Sequence, residues 1–289
     1  RHLLTGNEAV ARGAYEAGLV FASAYPGTPS TEILETLAAY KDSLYCEWAP
    51  NEKVALEAAI GASLAGGRAL AAMKHVGVNV AADPLFTAAY TGVNGGLILV
   101  SADDPGQHSS QNEQDNRNYA TAARLLMLEP ADSQEAKDFT KLGLALSERF
   151  DMPVMLRMTT RVCHSKSTVT FEERGEISIR PYEKNIAKYV MTPANAKVKR
   201  AKLGEAIQAM TEYSNSCDIN RHGHRRHQRW CGLSVRQRGI WAGGIVSEAG
   251  HDLSHAHGEN PRLCFEGKNA VRGGGNGPVH GAPDPRGRH

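Results

Sequence analysis

Short apolar runs alternate with segments of helical spacing along most of this chain. The strands are predicted at 44–48, 68–74, 96–102 and 153–158. The helices are predicted at 51–65, 83–90 and 132–149. Strands that are separated by helices favour a parallel sheet covered by helices. The predicted fold class is therefore α/β.

A further helix is predicted after the turn that begins at Tyr25. Thr28 can cap this helix, with Pro29 at the first helical position, where the missing N–H of proline costs little. Apolar side chains then recur at helical spacing; they are Ile33, Leu34, Leu37 and Ala38. Such a stripe is typical of a helix that packs on a core.

The periodic pattern is lost near Arg221, and the composition changes at the same point. From Arg221 to His289 the chain holds 8 of its 12 histidines and 11 Lys/Arg against 5 Asp/Glu, whereas residues 1–220 hold 22 Lys/Arg against 26 Asp/Glu. The net charge of +2 therefore averages an acidic part and a basic part. We predict a domain at 1–190, a connecting segment at 191–221 and a tail without an evident core at 222–289.

Bulk composition argues against several kinds of site and location. Apolar residues make up 41% of the chain, yet no run approaches the roughly 18 apolar residues that a membrane span needs. The N-terminus lacks a basic-then-apolar signal pattern, so a cytoplasmic location is expected. The 5 cysteines include no C-x-x-C pair, which argues against a disulfide framework and against a zinc or iron–sulfur site. No G-x-G-x-x-G follows a strand and no Walker A sequence occurs, so nicotinamide and ATP sites are not supported.

Three segments carry the most informative motifs of the sequence. They are Tyr25-Pro26-Gly27-Thr28-Pro29-Ser30-Thr31-Glu32, Asn51-Glu52-Lys53-Val54-Ala55 and Met73-Lys74-His75-Val76-Gly77-Val78-Asn79. Together they resemble the N-terminal domain of the indolepyruvate:ferredoxin oxidoreductase alpha subunits, a branch of the 2-oxoacid:ferredoxin oxidoreductases. The resemblance runs from about Leu3 to Arg221 and stops there.

This resemblance implies the thiamine diphosphate-binding fold, with the pyrimidine-side half of the cofactor site in this chain. The implied reaction converts an aryl 2-oxo acid, CoA and oxidised ferredoxin into aryl-acetyl-CoA, CO2 and reduced ferredoxin. The implied partners are a beta subunit, a second alpha subunit and ferredoxin, with no membrane and no nucleic acid. The family's Gly-Asp-Gly and downstream Asn, which hold Mg2+, are missing, as is its cysteine-rich 4Fe–4S segment. We therefore expect this chain, which begins at Arg1 without a methionine, to be a fragment that is inactive alone.

Glu52 is the predicted catalytic and cofactor-binding residue. In the wider group of thiamine enzymes, a glutamate in the pattern E-x-x-A precedes a small-residue helix and hydrogen-bonds the pyrimidine ring nitrogen of the cofactor. Glu52 stands at the matching position, whereas Glu47 and Glu57 do not. From the residues alone, Glu52 is equally a first-turn glutamate that the helix dipole favours. In the catalytic role, its carboxyl group would need an apolar setting that holds its proton.

The resemblance also assigns contacts to the turn at Gly27 and to the segment at the end of the second predicted strand, 68–74. Gly27 and Thr28 are expected to bind the cofactor, and Thr28 is expected to face the substrate as well. Lys74, His75 and Asn79 match the family's cofactor-side loop and are expected to bind the cofactor. Without the resemblance, a Pro-Gly turn is interpreted as a simple connection between elements, a lysine at a strand end as a solvated side chain, and a lone histidine as a structural residue.

One departure from the family concerns the substrate. In related pyruvate enzymes an arginine after the Val-Ser-Ala strand end binds the substrate carboxylate, whereas here Val100-Ser101-Ala102 is followed by Asp103. This departure argues against pyruvate and leaves Lys74, His75 or Arg117 as carboxylate partners. The polar segment from Asp103 to Glu113 is implied to be an active-site loop, although by default it is merely exposed. Arg157 and Arg161 match the family's last strand, or they are only surface charges.

The tail and the family assignment leave alternatives open. A basic, histidine-rich tail is typical of a disordered nucleic-acid-binding or metal-binding segment. Synonymous codons for 222–236, 248–261 and 271–280, displaced by one nucleotide, permit sequences that look like the family's next domain. We therefore interpret the tail as an out-of-frame remnant, weakly packed or disordered, and assign no function to its histidines. The competing functions are another 2-oxoacid:ferredoxin oxidoreductase branch and a non-catalytic binding protein with a nucleic-acid-binding tail, which strongly salt-dependent affinity would reveal.

Overall fold

The computed structural model describes residues 1–175, 179–217 and 219, together with the backbone of 240–241. The elements are, in chain order, β1 (His2–Thr5), α1 (Gly6–Glu16), β2 (Phe21–Ala24), α2 (Thr31–Leu37), a 3-10 turn (Ala38–Tyr40), β3 (Tyr45–Trp48), α3 (Glu52–Leu64), β4 (Ala69–Lys74), α4 (His75–Val80), α5 (Ala82–Thr91), β5 (Leu97–Asp103), α6 (Arg117–Ala123), β6 (Leu126–Leu128), α7 (Ser133–Phe150), β7 (Val154–Thr159), α8 (Thr160–His164), β8 (Lys166–Val169), α9 (Ile186–Tyr189), α10 (Pro193–Ser216) and β9 (Ile240–Trp241).

Within the described residues, the main sheet has 7 strands in the order β3-β2-β4-β5-β7-β6-β9. All its pairs are parallel except β6 with β9, which is antiparallel. A separate pair, β1 with β8, is antiparallel. The predicted α/β class with a parallel, helix-covered sheet is confirmed.

Side chains of the sheet form one apolar cluster on each face. Along β4, Leu70 and Ala72 belong to the cluster that α1, α2 and α7 cover, whereas Ala71 and Met73 belong to the cluster that α3 and α5 cover. Strands that are buried on both faces read as continuous apolar runs, which explains why β4 and β5 were predictable from the sequence.

Local capping determines where several predicted helices begin. Asn51 accepts a hydrogen bond from the backbone N–H of Val54 at the start of α3. Asp132 accepts one from the N–H of Glu135 at the start of α7. These caps satisfy N–H groups that have no partner within the helix. Both helices begin within a residue of the predicted positions.

The predicted cap at Thr28 is wrong. Helix α2 begins at Thr31, and Thr28 and Pro29 lie in the preceding turn, joined by a cis peptide bond. Thr31 Oγ1 accepts the backbone N–H of Gly27, so the turn is closed by a side chain inside the helix. Of the predicted apolar stripe, Ile33, Leu34 and Leu37 are buried, whereas Ala38 is exposed on the 3-10 turn.

Helix α4 lies where a loop was expected. Its sequence, His-Val-Gly-Val-Asn-Val, has low intrinsic helix propensity because of its glycine and β-branched residues. The turn is nevertheless helical because Val78 is buried in the core and the side chains of His75 and Asn79 are hydrogen-bonded to a neighbouring loop. Tertiary contacts therefore outweigh propensity at this position.

A segment made of residues 171–175 and 179–190, which we call the amino-edge strap, contacts loops that precede the parallel strands. Arg174 donates hydrogen bonds to the carbonyls of Leu19 and Ser43, which precede β2 and β3. The N–H of Arg180 donates to the carbonyl of Gly66, which precedes β4. Gly66 has φ +98°, and a Cβ there would collide with the carbonyl of Arg180. The strap thus closes the amino-terminal edge of the sheet.

A buried ionic cluster ties the strap to two helices. Lys137 on α7 is fully buried, and its Nζ lies 3.0 Å from Glu16 Oε2 on α1 and 3.2 Å from Glu172 Oε1 in the strap. Burial alone would raise the pKa of Glu16, but hydrogen bonds from Arg12, the Glu172 backbone and Lys137 lower it overall. The cluster therefore stabilises the fold away from the carboxyl-terminal ends of the strands.

The predicted domain boundaries stay predictions. Helix α10 lies within the predicted connecting segment and places Leu203 and Met210 in the core. The predicted tail lies outside the described residues, apart from the backbone of Ile240 and Trp241. Among the described residues, no helix combines the length and apolar character that crossing a membrane would require.

Candidate functional site

The carboxyl-terminal ends of the parallel strands lie along one edge of the sheet. From β2 the chain continues to β3 on one side, and β4 then lies on the other side of β2. Ligands of open α/β sheets bind in the crevice at such a reversal of strand order. The three motif segments follow β2, β3 and β4, so the fold brings them to this point together.

The turn after β2 packs directly on the end of β4. A Cβ added to Gly27 would lie 3.3 Å from the Cβ of Lys74, so a larger residue would press on that strand end. Ser30 Oγ donates to the carbonyl of Gly27 and fixes the turn. The exposed hydroxyl of Thr28 has no hydrogen-bond partner among the described residues and is available to a ligand.

Glu52 lies against the backbone of α4. A Cβ added to Gly77 would lie 2.6 Å from Cγ and from Oε1 of Glu52, so any larger residue there would displace the carboxyl group from its present position. This partly buried carboxyl group has no hydrogen-bond or ion-pair partner within the described part of the chain. By contrast, Glu47 accepts a hydrogen bond from Tyr45, and Glu57 faces Lys53 on the exposed side of α3.

Lys74, His75 and Asn79 all contact one loop, residues 104–116, which we call the polar loop. Lys74 Nζ donates to the carbonyl of Ser109 at 2.8 Å. Nε2 of the buried His75 lies 3.2 Å from the carbonyl of Asn112, and because a carbonyl can only accept, this nitrogen carries the hydrogen. Asn79 Nδ2 donates to Gln114 Oε1 at 3.0 Å. The structure therefore brings the three predicted residues of this segment together, and their side chains contact the polar loop.

Asp104 organises the first half of the polar loop. Its carboxylate accepts hydrogen bonds from the N–H of Ser109 at 2.8 Å, from Ser110 Oγ at 2.6 Å and from Thr160 Oγ1 at 2.7 Å. Burial opposes ionisation, but these donors together hold the pKa of Asp104 well below its ordinary value. Within the described ranges, no group of three or more His, Cys, Asp or Glu side chains could hold a metal ion.

Asp103 is sequestered beside Arg157. Arg157 Nε donates to Asp103 Oδ2 at 2.7 Å, and the other side of the guanidinium contacts Glu129. All three side chains are buried, so the reading of Arg157 as a surface charge is wrong. Burial raises the pKa of Asp103 and of Glu129, and the charge of Arg157 opposes both shifts. Arg161, in contrast, is exposed on α8.

Arg117 is also paired. Its guanidinium donates two hydrogen bonds to Asp115 at 2.6 and 2.9 Å, which neutralise its charge locally. Lys74 bonds only a carbonyl, and no carboxylate within 4.0 Å balances its charge among the described residues. Of the three candidate carboxylate partners, Lys74 is therefore the one with an uncompensated positive charge at the strand ends.

Two residues of this edge were missed by the sequence reasoning. Asp104 and Asn116 each make several hydrogen bonds that hold the polar loop, yet Asp104 was predicted only as part of an implied active-site loop, with no individual role, and Asn116 was not predicted. The available signal was their position in a loop that follows a fully apolar strand, since buried polar groups at such a boundary must find partners.

Comparison with known protein families establishes the family to which this chain belongs. Residues 12–225 match the family model described as "Pyruvate flavodoxin/ferredoxin oxidoreductase, thiamine diP-bdg", that is, thiamine diphosphate-binding. The chain belongs to this family. The match includes every residue of the candidate site described above, from Gly27 to Arg161.

Curated relatives are similar over the same part of the chain. The indolepyruvate oxidoreductase subunit IorA of Archaeoglobus fulgidus is 51% identical over 225 residues, which are 75% of this chain and 36% of the relative. IorA of Pyrococcus horikoshii is 46% identical over 226 residues, 75% of this chain and 35% of the relative. The 2-oxoglutarate synthase subunit KorA of Methanothermobacter thermautotrophicus is 30% identical over 188 residues, 62% of this chain and 50% of the relative. The chain thus spans about a third of the length of the IorA relatives it matches.

A solved structure shares the fold. The 2-oxoglutarate:ferredoxin oxidoreductase of Magnetococcus marinus, with 2-oxoglutarate, coenzyme A and succinyl-CoA bound, matches with a TM-score of 0.61 and 21% identity. The match covers 73% of this chain and 45% of the solved chain. At this identity the comparison supports the fold alone.

The residues at the strand ends fit a thiamine diphosphate site. Among the described residues Glu52 offers an unpartnered carboxyl group, and Gly77 leaves room for that group beside α4. Thr28 offers an unpartnered hydroxyl group on the turn that packs against Lys74. A carboxyl group and a hydroxyl group suit a heterocyclic ligand that carries ring nitrogens and an amino group.

Proposed function

We propose that this chain supplies the pyrimidine-side half of a thiamine diphosphate site in an oxidoreductase that decarboxylates aryl 2-oxo acids such as indolepyruvate. The supporting observation is the unpartnered carboxyl group of Glu52 against Gly77 at the reversal of strand order. The chain is 51% identical to an IorA subunit and 30% identical to a KorA subunit, which supports the indolepyruvate branch over the 2-oxoglutarate branch.

Each residue has a distinct proposed role. Bound thiamine diphosphate supplies the nucleophilic carbon and the electron sink that decarboxylation of a 2-oxo acid needs. Glu52 would hold and exchange a proton at the pyrimidine side of the cofactor. Gly27 would leave space beside Lys74, and the hydroxyl of Thr28 would bind the cofactor or the substrate. His75 and Asn79 would hold the polar loop over the site.

The substrate carboxylate is proposed to bind Lys74. An exposed ammonium group whose charge is not balanced attracts an anion, whereas Arg117 is already paired with Asp115. Asp103 is buried beside Arg157 and is unavailable to the substrate. The chain therefore departs from an arginine-based carboxylate site in both the position and the type of the cation.

The remaining parts of the enzyme are proposed to come from outside this chain. We propose that a beta subunit, a second alpha subunit and ferredoxin assemble with the complete protein, and that CoA is the acyl acceptor. The Mg2+–diphosphate half of the site and the 4Fe–4S clusters would lie in the part that the IorA relatives have in addition. A cytoplasmic location stays a prediction, as does the nucleic-acid-binding alternative, whose basic tail lies outside the described residues.

The proposed function is tested by comparing the chain with a completed protein. We expect the isolated chain to bind thiamine diphosphate and Mg2+ weakly and to show no turnover, because the charged diphosphate contacts are missing. A chimera in which the chain replaces the matching third of the A. fulgidus IorA subunit, assembled with its partner subunit, should reduce ferredoxin with indolepyruvate and CoA. Titration calorimetry and an anaerobic ferredoxin-reduction assay measure both properties.

Two results would contradict the proposal. A chimera that fails to bind thiamine diphosphate, under conditions in which the parent enzyme binds it, would remove the cofactor assignment. Turnover or tight Mg2+-dependent binding by the isolated chain would show that the missing half is not needed.

Substitution of Gly77 by alanine tests the space beside Glu52. The added methyl group would lie 2.6 Å from Glu52 Oε1 and must displace the carboxyl group. A displacement of a catalytic group by about 1 Å can lower the rate by about a hundredfold. We therefore expect kcat of the chimera that carries Gly77→Ala to fall by about tenfold to a hundredfold. Gly61→Ala is the matched control, because Gly61 lies on α3, the helix that bears Glu52, and nothing lies within 4 Å of a Cβ there. Equal kcat values for the two variants would rule out the proposed contact.

A further inference from the structure

Asn116 is a fully buried amide at the end of the polar loop, immediately before α6. Its Nδ2 donates to the carbonyl of His75 at 3.1 Å and to Ser101 Oγ at 2.7 Å. Its Oδ1 accepts from Gln114 Nε2 at 2.6 Å, and its backbone N–H donates to Asp103 Oδ2 at 3.0 Å. Every polar group of this side chain is therefore used.

One hydrogen bond of Asn116 reaches the first turn of α4, and its others join β5 and the polar loop. His75 is the first residue of that helix, and its carbonyl accepts from both Asn116 and Gln114. Gly77 follows two residues later and packs on the carboxyl group of Glu52. Because α4 has only 6 residues of low helix propensity, its position depends on these external bonds. A shift of this turn would move the surface against which Glu52 rests.

Asparagine is the residue type that these bonds require. An aspartate at position 116 has no donor for the His75 carbonyl and adds a negative charge next to Asp103. An alanine leaves Ser101 Oγ without this donor and opens a small cavity. Asp103 is itself held by Arg157, so the chain of contacts runs from the β7 strand to the α4 turn.

We infer that Asn116 is a positioning residue for Glu52: it fixes the first turn of α4, and the backbone of that turn at Gly77 fixes the carboxyl group. The inference rests on the proposed function of Glu52. Within the described residues no hydrogen bond joins Asn116 to Glu52, and the bond of Asn116 to the His75 carbonyl connects it to the helix turn, through which it acts. Its loss should therefore lower the rate of the chemical step more than the affinity for the 2-oxo acid.

The test compares Asn116→Ala and Asn116→Asp with two controls. Asn118→Ala changes an exposed asparagine on α6, and Leu146→Ala opens a cavity in the opposite face of the sheet. In the 289-residue chain without cofactor, we expect faster amide exchange at residues 76–81 in the two Asn116 variants only. In the chimera, we expect kcat to fall by about tenfold to a hundredfold, with KM for indolepyruvate within about twofold.

Each outcome decides the inference. Amide exchange at 76–81 that is unchanged in Asn116→Ala would overturn it, and this readout does not depend on the cofactor. A loss of kcat no larger than that of Leu146→Ala at equal stability would overturn it as well, since a merely structural role predicts that equality. Failure of the unsubstituted chimera to bind thiamine diphosphate would contradict the proposed function and, with it, the assignment of Glu52 as the group that Asn116 positions.

Discussion

Glu52→Gln in the chimera is expected to lower kcat by about 10²–10⁴-fold, the range that a positioned acid–base group contributes. Glutamine matches glutamate in size and fits beside Gly77, but it cannot hold or exchange the proton. The side chain has no other partner among the described residues whose loss would disturb the fold. We therefore expect the unfolding midpoint and much of the thiamine diphosphate affinity to be retained.

The matched controls for this variant are Glu47→Gln and Glu57→Gln. Glu47 lies on the edge strand β3 and bonds Tyr45, and Glu57 is exposed on α3 beside Lys53. Both should keep kcat within about twofold, since neither carboxyl group faces α4. A ferredoxin-reduction assay compares the turnover of the three variants. Near-normal turnover by Glu52→Gln would contradict the assignment of Glu52 as the catalytic carboxyl group.

Arg157→Met is expected to destabilise the chain by about 3–5 kcal/mol near pH 7, as is typical when one partner of a buried ion pair is removed. Methionine fills similar apolar volume but leaves Asp103 and Glu129 buried without their shared cation. Urea unfolding of the chain measures the loss. Arg161→Met, which removes an exposed guanidinium group from the next helix, should change the free energy of unfolding by less than about 0.5 kcal/mol.

The pH dependence of this loss has a definite sign. Burial already raises the folded-state pKa of Asp103 and Glu129, and Arg157 is the strongest influence that opposes it. Without Arg157 both pKa values rise further, so the folded state binds protons that the unfolded state has released above about pH 4. Stability of Arg157→Met should therefore fall as pH rises, with a larger loss at pH 8 than at pH 5.5. A pH-independent loss would show that the pair is already neutral in the parent chain.

The sequence predicted much of the fold because its strands are buried on both faces. Continuous apolar runs marked β4, β5 and β7 within a residue or two, and the caps Asn51 and Asp132 marked their helices. The burial of Arg157 was not predictable in the same way. Arg157 pairs with Ser101 in the register of β7 beside β5, and only that register brings its guanidinium to Asp103. Strand order is a property of the whole fold, and no local pattern contains it.

The residues of the candidate site likewise include some that local sequence could predict and some that depend on the whole fold. The resemblance marked Gly27, Glu52 and Lys74 as cofactor-binding residues and the sequence placed Lys74 at a strand end, whereas β2, which precedes Gly27, was not predicted. The parallel sheet brings the ends of β2, β3 and β4 together. The contacts of His75 and Asn79 with the polar loop were not predictable, because they join segments about 35 residues apart through side chains without periodicity. Asn116 was missed for the same reason, since its partners lie on two other elements.

The amino-edge strap has a consequence for how this fold can change its chemistry. The strap and the cluster around Lys137 anchor the loops before β2, β3 and β4 at the edge opposite the strand ends that bear Thr28, Glu52 and Lys74. Mutations at the strand ends therefore leave these anchors intact. Under the proposed function, substitutions at the strand ends would change which 2-oxo acid binds with little loss of stability, whereas substitutions at Gly66 or Arg174 would destabilise the fold.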